Sequence, residues 1–291
     1  LIVHSSLKAA GWIVGGPEVV MRALLDTVGP EGTVMMPSQT WKNLDPSTGV
    51  HWEQPEEWWP LIRGNWPAYD PATTPSIGMG LLAETLRTWP GAVRSDHPAR
   101  SFAPVRQHAK HLPENKKKKN IFGEGSPLAK FYELDGRILL FGVGHDKNTS
   151  LHLAEMRASF PKTMSTEHSA IMTGGQRVWT SYEPPSVDDS DFIELGAAFE
   201  KEHSIPAHRL GAADVRLIRQ RDLVDFAVRW MNAHRSRRET PAQAAATNHE
   251  LVEKRCASGR SWKTLVTSWA SWYCRPTVQR GPRFHWPPAP V

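Results

Sequence analysis

Residues 1–37 read LIVHSSLKAAGWIVGGPEVVMRALLDTVGPEGTVMMP, and this opening stretch decides the fold class. Residues 1–4 are apolar and favour a β-strand, and residues 33–36 form a second apolar run. Between them, the Gly-Pro-Glu sequence at residues 16–18 is typical of the start of a helix, because proline is suitable at the first helical position. A strand, a helix and a second strand in this order favour an α/β protein.

The segment at residues 38–75 has a different character, because it contains many aromatic residues and prolines but no strand or helix periodicity. Its length predicts a functional loop, and its aromatic content argues against disorder. The pattern then predicts a helix at residues 76–90. Residues 91–127 are predicted to be mostly irregular, with one short helix at about residues 104–112.

Residues 137–143, RILLFGV, are apolar almost throughout, as expected for a central strand with both faces buried. A turn follows, and then Thr149 or Ser150 is suitable as the N-cap of a helix that extends to about residue 159. The later elements are predicted as two strands within residues 167–185, around a Gly-Gly turn, and helices at residues 189–202 and 219–234.

The C-terminal part of the chain differs from the rest in charge and composition. Residues 235–291 contain ten Lys and Arg residues, three acidic residues and few aliphatic ones. We therefore predict one domain at residues 1–234 and a poorly ordered basic tail at residues 235–291. Because the whole chain carries a formal charge of +5, the predicted domain itself carries −2. A weakly acidic domain is better suited to binding a cationic small molecule than to binding nucleic acid.

Composition excludes several protein classes. The sequence contains no apolar run long enough to cross a membrane and no signal peptide, so we expect a cytoplasmic protein. Its first residue is a leucine within a predicted strand, so we expect the natural chain to begin further upstream. Both cysteines, Cys256 and Cys274, lie in the predicted tail. This excludes a disulfide framework, a four-cysteine zinc site and a cysteine nucleophile in the domain.

His152 and Glu155 are the candidate catalytic pair, because they lie on one helical face just after a predicted buried strand. Ligands of open α/β sheets bind at this end of the strands. An imidazole can act as a general base near neutral pH, and a carboxylate can hold its tautomer. An ordinary surface hydrogen-bond network is the alternative. We expect no metal, since no third ligand has suitable spacing, and the G-x-S-x-G motif of a hydrolase is missing.

Two further groups of residues are candidates for ligand binding. Ser5, Ser6 and Leu7 form a turn where hydroxyls and N–H groups either hold phosphate and pantetheine amides or simply stabilise the turn. Aromatic faces and carboxylates suit a polyamine-bearing sugar. The aromatic segment supplies both, with Tyr69 and the acids Asp45, Glu53, Glu56, Glu57 and Asp70. A second acidic cluster contains Glu183, Asp188, Asp189 and Asp191, and Glu124 lies in a tight loop. Ordinary solvated surface is the alternative for the acids.

Five ordered segments of the sequence carry a resemblance to a known family. They are VHSSL at residues 3–7, residues 71–80 with the following Glu84 and Arg87, RSDHPARSF at residues 94–102, GEGSP at residues 123–127, and GVGHDKNTSLHLAE at residues 142–155. Together they resemble the aminoglycoside 3-N-acetyltransferase family. The match extends to about His234 and does not cover the tail.

The resemblance implies a three-layer α/β/α fold with a central mixed sheet. It also implies transfer of acetyl from acetyl-CoA, the cosubstrate, to the 3-amino group of a 2-deoxystreptamine ring. His152 matches the active-site histidine of the family, and Glu155 matches the acid beside it. The CoA site is expected to include Ser5, Ser6, Leu7, Ser101 and Phe102, with Thr149 near the thioester oxyanion. Carboxylates including Asp70, Glu124, Glu183 and Asp189 are expected to hold the other ammonium groups of the aminoglycoside, beside Tyr69.

We expect a monomer or homodimer with a small-molecule partner and with neither nucleic acid nor membrane. Two departures from the family pattern put local binding in doubt: the first strand begins at residue 1, and four lysines at residues 116–119 precede Glu124. Three other functions stay open. The chain could acetylate a different small amine, bind carbohydrate through its tryptophan-rich loop without catalysis, or bind nucleic acid through its basic tail.

Overall fold

A computed structural model describes residues 1–48, 52–114 and 120–235, and these residues belong to one compact unit. The predicted tail from residue 236 onward lies outside the described residues. The strands are β1 (Ile2–Ser5), β2 (Thr33–Pro37), β3 (Phe102–Arg106), β4 (Arg137–Phe141), β5 (Glu167–Thr173), β6 (Gln176–Tyr182), β7 (His208–Leu210) and β8 (Ala213–Arg219). The α-helices are α1 (Leu7–Ala10), α2 (Gly16–Val28), α3 (Trp59–Asn65), α4 (Leu81–Arg87), α5 (Pro127–Glu133), α6 (Ser150–Arg157), α7 (Phe192–His203) and α8 (Gln220–His234).

The central sheet has six strands in the order β3-β2-β1-β4-β8-β7. Strand β1 is parallel to both β2 and β4, whereas the β2–β3, β4–β8 and β7–β8 pairs are antiparallel. The sheet is therefore mixed. Strands β5 and β6 form a separate two-stranded sheet around the predicted Gly-Gly turn.

Side chains alternate between the two faces of the central sheet, and each face supports its own core. Ile2 packs with residues of α5 to α8 in one apolar cluster, whereas its neighbour Val3 packs with residues of α2 and α4 in the other. Helices thus cover both faces, and the three-layer α/β/α prediction is confirmed. No helix formed by the described residues has the length and apolar character that crossing a membrane requires.

The predicted helix at about residues 104–112 is wrong. Residues Phe102–Arg106 form the edge strand β3, which pairs antiparallel with β2 over five residue positions. Pro104 lies opposite Met35 in this strand, and proline is tolerated there because an edge strand has one unpaired side. Arg106, with a positive φ of 75°, then ends the strand. The short apolar run fits a helix or a strand equally well, and only the partner strand decides between them.

The predicted aromatic loop is partly helical. It contains 3₁₀ turns at Trp41–Asn43, Pro46–Thr48 and Glu56–Trp58, followed by α3. Proline in the first turn of α3 is compatible with a helix start. A tryptophan of this segment also stabilises it by a hydrogen bond: Nε1 of Trp66 donates to the side-chain oxygen of Asn43 over 2.9 Å. The sequence did not predict these short elements, because the prolines of the segment interrupt any regular periodicity.

Candidate active site

The site lies at the carboxyl ends of the parallel strands β1 and β4. Ser5 pairs with Phe141 at the end of the β1–β4 ladder, and the N–H of Ser6 donates to the Phe141 carbonyl over 2.8 Å. Gly142 follows with a φ of +66°, and a Cβ added there would lie 2.9 Å from the carbonyl oxygen of Ser6. Only glycine satisfies both conditions. It allows the turn after β1 to pack against the end of β4.

His152 and Glu155 contact one another on the first turns of α6. The Nδ1 atom of His152 lies 2.9 Å from Oε2 of Glu155, as their spacing on one helical face predicts. Since a carboxylate oxygen accepts, Nδ1 carries the proton and Nε2 is left as the acceptor. The Nε2 atom makes no hydrogen bond within the described part of the chain. The side chain of His152 is 14% exposed and that of Glu155 only 2%.

Two aromatic rings hold the imidazole of His152. Phe122 stacks on it with 4.8 Å between ring centroids and 17° between planes, and Phe192 lies 4.9 Å away at 53°. Phe122 follows the segment whose placement is not described, and Phe192 begins α7. The two rings restrict rotation of the imidazole, so stacking and the Glu155 contact together determine its orientation.

Glu155 has a second set of partners that the sequence analysis missed. Its Oε1 atom accepts from Nη1 of Arg235 over 2.6 Å and from the N–H of Asp188 over 2.9 Å. The Arg235 guanidinium also binds both carboxylate oxygens of Asp191, through Nε at 2.9 Å and Nη2 at 2.5 Å. Arg235 was assigned to the tail, yet its side chain is only 4% exposed. The domain therefore includes this residue.

Two more histidines lie near His152, one in the central strand β1 and one in the 3₁₀ turn after β4. His4 is buried in β1, and its Nε2 has no hydrogen-bond partner among the described residues. Burial, followed by the positive charge that His145 and His152 can carry, lowers the pKa of His4 to about 3. Burial also lowers the pKa of His145, although the neighbouring Glu200 carboxylate, 3.0 Å from its Nε2 atom, acts in the opposite direction. His4 is therefore neutral at physiological pH.

The predicted CoA-site residues fall into two groups. Ser5, Ser6 and Leu7 lie at the end of β1 with partly exposed side chains. Thr149 directly precedes α6, and its side chain makes no capping hydrogen bond. All four are thus near the carboxyl ends of the strands, on the side where His152 lies.

Ser101 and Phe102 are fully buried. The Ser101 hydroxyl donates to the Ser38 carbonyl over 2.7 Å and accepts from Nε of Arg94 over 2.8 Å. Phe102 belongs to the core and packs edge-on against Phe122, with 6.4 Å between centroids. Their side chains hold the loop beside β3 in place, and their assignment to the CoA site stays a prediction.

Three of the predicted aminoglycoside-binding residues already have protein partners. Tyr69 is buried, its hydroxyl donates to the Ser95 carbonyl over 2.6 Å, and burial raises its pKa to about 12. Asp70 is exposed and accepts from the N–H of Ala72 over 2.7 Å within its own turn. The Glu124 carboxylate pairs with Nε of Arg157 at 2.7 Å. Their roles in substrate binding stay predictions.

Glu183 and Asp189 have a different environment. Both are exposed, and neither side chain makes a hydrogen bond or ion pair with the residues that the structure describes. Asp189 follows Asp188, whose N–H donates to Glu155. Asp189 therefore lies near the His152–Glu155 pair. A loop that the sequence identified only as acidic thus borders the catalytic candidates.

The carboxylates of the aromatic segment are less available. Asp45 is tied to Arg63 by two hydrogen bonds of 2.7 and 2.9 Å. Burial acts to raise the pKa of Asp45. The hydrogen bonds from Arg63 and Ser47 outweigh burial and lower this pKa to about 2. Among residues 1–48, 52–114 and 120–235, no group of three or more His, Cys, Asp or Glu side chains is arranged to hold a metal ion.

The sequence has clear relatives. Residues 2–232 match the family model described as aminoglycoside 3-N-acetyltransferase. The chain is 38% identical to the SPbeta prophage-derived aminoglycoside N(3')-acetyltransferase-like protein YokD of Bacillus subtilis, over 79% of this chain and 85% of that protein. It is 33% identical to aminoglycoside N(3)-acetyltransferase IX of Micromonospora chalcea, over 80% and 87% of the two chains.

Solved structures agree with these relationships. The crystal structure of YokD superposes with a TM-score of 0.77 and 37% identity, over 82% of this chain and 88% of that one. AAC-IIIb in a binary complex with CoASH superposes with a TM-score of 0.71 and 28% identity, over 82% and 91%. The resemblance carried by the five sequence segments is confirmed.

Proposed function

Because the chain belongs to the aminoglycoside 3-N-acetyltransferase family, we propose that it acetylates the 3-amino group of a 2-deoxystreptamine aminoglycoside and so confers resistance. Acetyl-CoA is the acetyl donor. The observation that carries the proposal is the contact of 2.9 Å between His152 and Glu155 at the carboxyl end of the parallel strands. It leaves Nε2 of a partly exposed imidazole as a proton acceptor, which the acylation of an ammonium group requires.

In the proposed reaction, His152 removes a proton from the 3-ammonium group, directly or through water. The amine lone pair then attacks the thioester carbonyl carbon, so a carbon–nitrogen bond forms and the carbon–sulfur bond breaks. The amine loses a second proton to the departing sulfur, and CoA leaves as the thiol. Glu155 stabilises the imidazolium that forms when Nε2 takes the proton.

The turn after β1 supports acetyl-CoA binding in this place. Ser5, Ser6 and Leu7 keep part of their surface exposed, and Gly142 places no side chain against them. Hydroxyl and N–H donors from Ser5 or Thr149 stabilise the thioester oxyanion, and such donors contribute strongly to acyl transfer. Ser101 and Phe102 hold the adjoining loop from within the core.

Glu183 and Asp189 are the acids best suited to hold the remaining ammonium groups of the substrate. Their carboxylates lack protein partners among the described residues, so binding a cation breaks no existing ion pair. A residue such as Glu124 must first release Arg157. We therefore assign the main electrostatic contribution to Glu183 and to Asp189, whose neighbour Asp188 contacts Glu155.

A second acceptor class is supported by one observation. YokD, which is 38% identical to this chain, is named an acetyltransferase-like protein. Nε2 of His152 can remove a proton from any small ammonium group that reaches it. The neighbouring carboxylates, and not His152, would therefore select the amine that is acetylated.

The decisive experiment measures thiol release from acetyl-CoA by the full chain with kanamycin, gentamicin and a panel of non-sugar amines. We expect release only with the aminoglycosides, and mass spectrometry should locate the acetyl group on the 3-amino nitrogen. An aminoglycoside that already carries a 3-N-acetyl group is the matched control and should give no release. Release with a non-sugar amine alone would establish the second acceptor class. Release with no amine would contradict both.

A further inference from the structure

The Arg235 guanidinium lies behind the catalytic pair, on the far side of Glu155 from His152. Oε2 of Glu155 faces His152, whereas Oε1 receives Nη1 of Arg235 at 2.6 Å. The carboxylate is thus shared between the imidazole and the guanidinium. His152 and Glu155 both lie on α6, whereas Arg235 directly follows α8.

We propose that Arg235 is a positioning residue that sets the proton affinity and the orientation of His152 through Glu155. This inference rests on the proposed role of His152 as the general base. Arg235 does not touch the substrate in this scheme. It acts by holding one oxygen of Glu155 and by competing with His152 for the negative charge of that carboxylate.

The geometry holds Arg235 from several directions. Its Nε and Nη2 atoms bind the Asp191 carboxylate, and Nη2 also donates to the Asp188 carbonyl over 2.7 Å. The side chains of Arg235, Glu155 and Asp191 are only 4%, 2% and 2% exposed. Charges in such a place are weakly screened by water, so each one strongly affects its neighbours.

The buried charges explain why this residue affects the base. Two carboxylates, Glu155 and Asp191, share one guanidinium. Without Arg235, protonated His152 would be the cation that neutralises the Glu155 carboxylate. The carboxylate would then stabilise the imidazolium more strongly. An imidazole that holds its proton too firmly is a poorer base near neutral pH. Arg235 therefore keeps His152 able to exchange its proton.

Other charged groups around the pair do not replace Arg235. His4 approaches from β1 and is held neutral by burial, while Phe122 and Phe192 cover the imidazole with apolar surface. Lys162, after α6, affects Glu155 electrostatically but donates its hydrogen bonds to the carbonyls of Ala158 and Phe160. Among the residues that the structure describes, Arg235 is the Lys or Arg residue that contacts Glu155 directly.

The test compares Arg235→Met, which removes the charge, with Arg235→Lys, which keeps it but loses the two-pronged contact. For Arg235→Met, we expect the acidic limb of the kcat/KM profile to move to higher pH by about one unit. Activity should fall by up to about tenfold on the acidic side of the profile and recover in alkaline buffer. The acidic limb of Arg235→Lys should lie at a pH between those of Arg235→Met and the unchanged chain. Arg229→Met, an exposed position on α8, is the matched control.

A second measurement keeps the result independent of catalysis. The ring of His152 is titrated by NMR in the unchanged chain and in Arg235→Met, with the resonance assigned from a His152→Gln spectrum. We expect the midpoint to rise by about one pH unit in the variant. If the unchanged chain acetylates no amine, the proposed function fails, but this titration still reports on Arg235.

Asp191→Asn is the additional variant if Arg235→Met does not fold. Removal of that carboxylate leaves more of the Arg235 charge acting on Glu155, so the midpoint of His152 should move to lower pH. The proposal is overturned if activity falls by the same factor at every pH and the midpoint does not move. It is also overturned if Asp191→Asn and Arg235→Met shift the midpoint in the same direction.

Discussion

The imidazole of His152 stacks on the ring of Phe122, with 4.8 Å between the centroids and 17° between the planes. The stack fixes the plane of the imidazole, and the contact with Glu155 determines which nitrogen carries the proton. Nε2 is thereby left without a hydrogen-bond partner among the described residues. The core and the proposed catalytic pair thus share the ring of Phe122.

Replacing His152 with alanine removes the proposed base without removing either ligand site. We expect kcat to fall by at least about 100-fold, the usual scale of general base catalysis. Steady-state thiol release should show the loss mainly in kcat. His208→Ala, at an exposed position on β7, serves as the control and should be unchanged. A His152→Ala enzyme with near-normal turnover would falsify the assignment.

Neutralising the acidic loop should weaken binding of the aminoglycoside. For Glu183→Gln and Asp189→Asn, we expect KM for the aminoglycoside to rise about tenfold each, because a charged hydrogen bond contributes about 1.5 kcal/mol. KM for acetyl-CoA should stay the same. Asp26→Asn, an exposed acid on α2, provides the comparison. If both constants rise together, or neither does, these carboxylates do not select the acceptor.

The buried His4 makes stability depend on pH in a defined window. Its pKa is about 3 in the folded protein and about 6.5 when unfolded, so the unfolded chain binds more protons between these values. His4 therefore causes the free energy of unfolding to fall as pH drops from about 6.5 toward 3, by up to about 1.4 kcal/mol per unit. Urea unfolding of His4→Leu should show a flatter pH dependence, whereas His208→Leu should match the unchanged chain. Equal slopes for His4→Leu and the unchanged chain would show that His4 is not the titrating group.

A buried ion pair holds the β5–β6 sheet to the loop before β3. Both hydrogen-bonding arms of Arg100 bind the Glu167 carboxylate, each side chain is 7% exposed, and the guanidinium lies 4.8 Å from the Trp41 ring centroid. Arg100→Met leaves a buried carboxylate unpaired, so we expect a loss of about 3–5 kcal/mol.

Two comparison proteins test this pair by chemical denaturation. The double variant Arg100→Met with Glu167→Leu should recover most of the lost stability, because no unpaired charge remains. Arg219→Met breaks the exposed pair with Asp135 and should leave the stability nearly unchanged, because water screens the two charges. Equal losses in the single and double variants would mean that the lost packing around Trp41, and not the unpaired charge, causes the effect.

Features that depend on near neighbours in the chain could be predicted without the structure. The apolar runs at β1, β2 and β4 and the face of α2 predicted an α/β fold, since burial selects side chains with the period of each element. The contact between His152 and Glu155 was likewise foreseeable, because residues three positions apart share a helical face.

Contacts between residues that are distant in the chain could not be predicted in this way. The edge strand β3 exists because β2 lies beside it, and no local pattern distinguished it from a helix. Glu155 and Arg235 are 80 positions apart, so their contact depends on the packing of α8 against α6. The same packing determines which acids are already paired, as Glu124 is with Arg157, and which stay open to a ligand. Side-chain contacts of this kind follow from the register and packing of whole elements, which neighbouring residues in the chain do not specify.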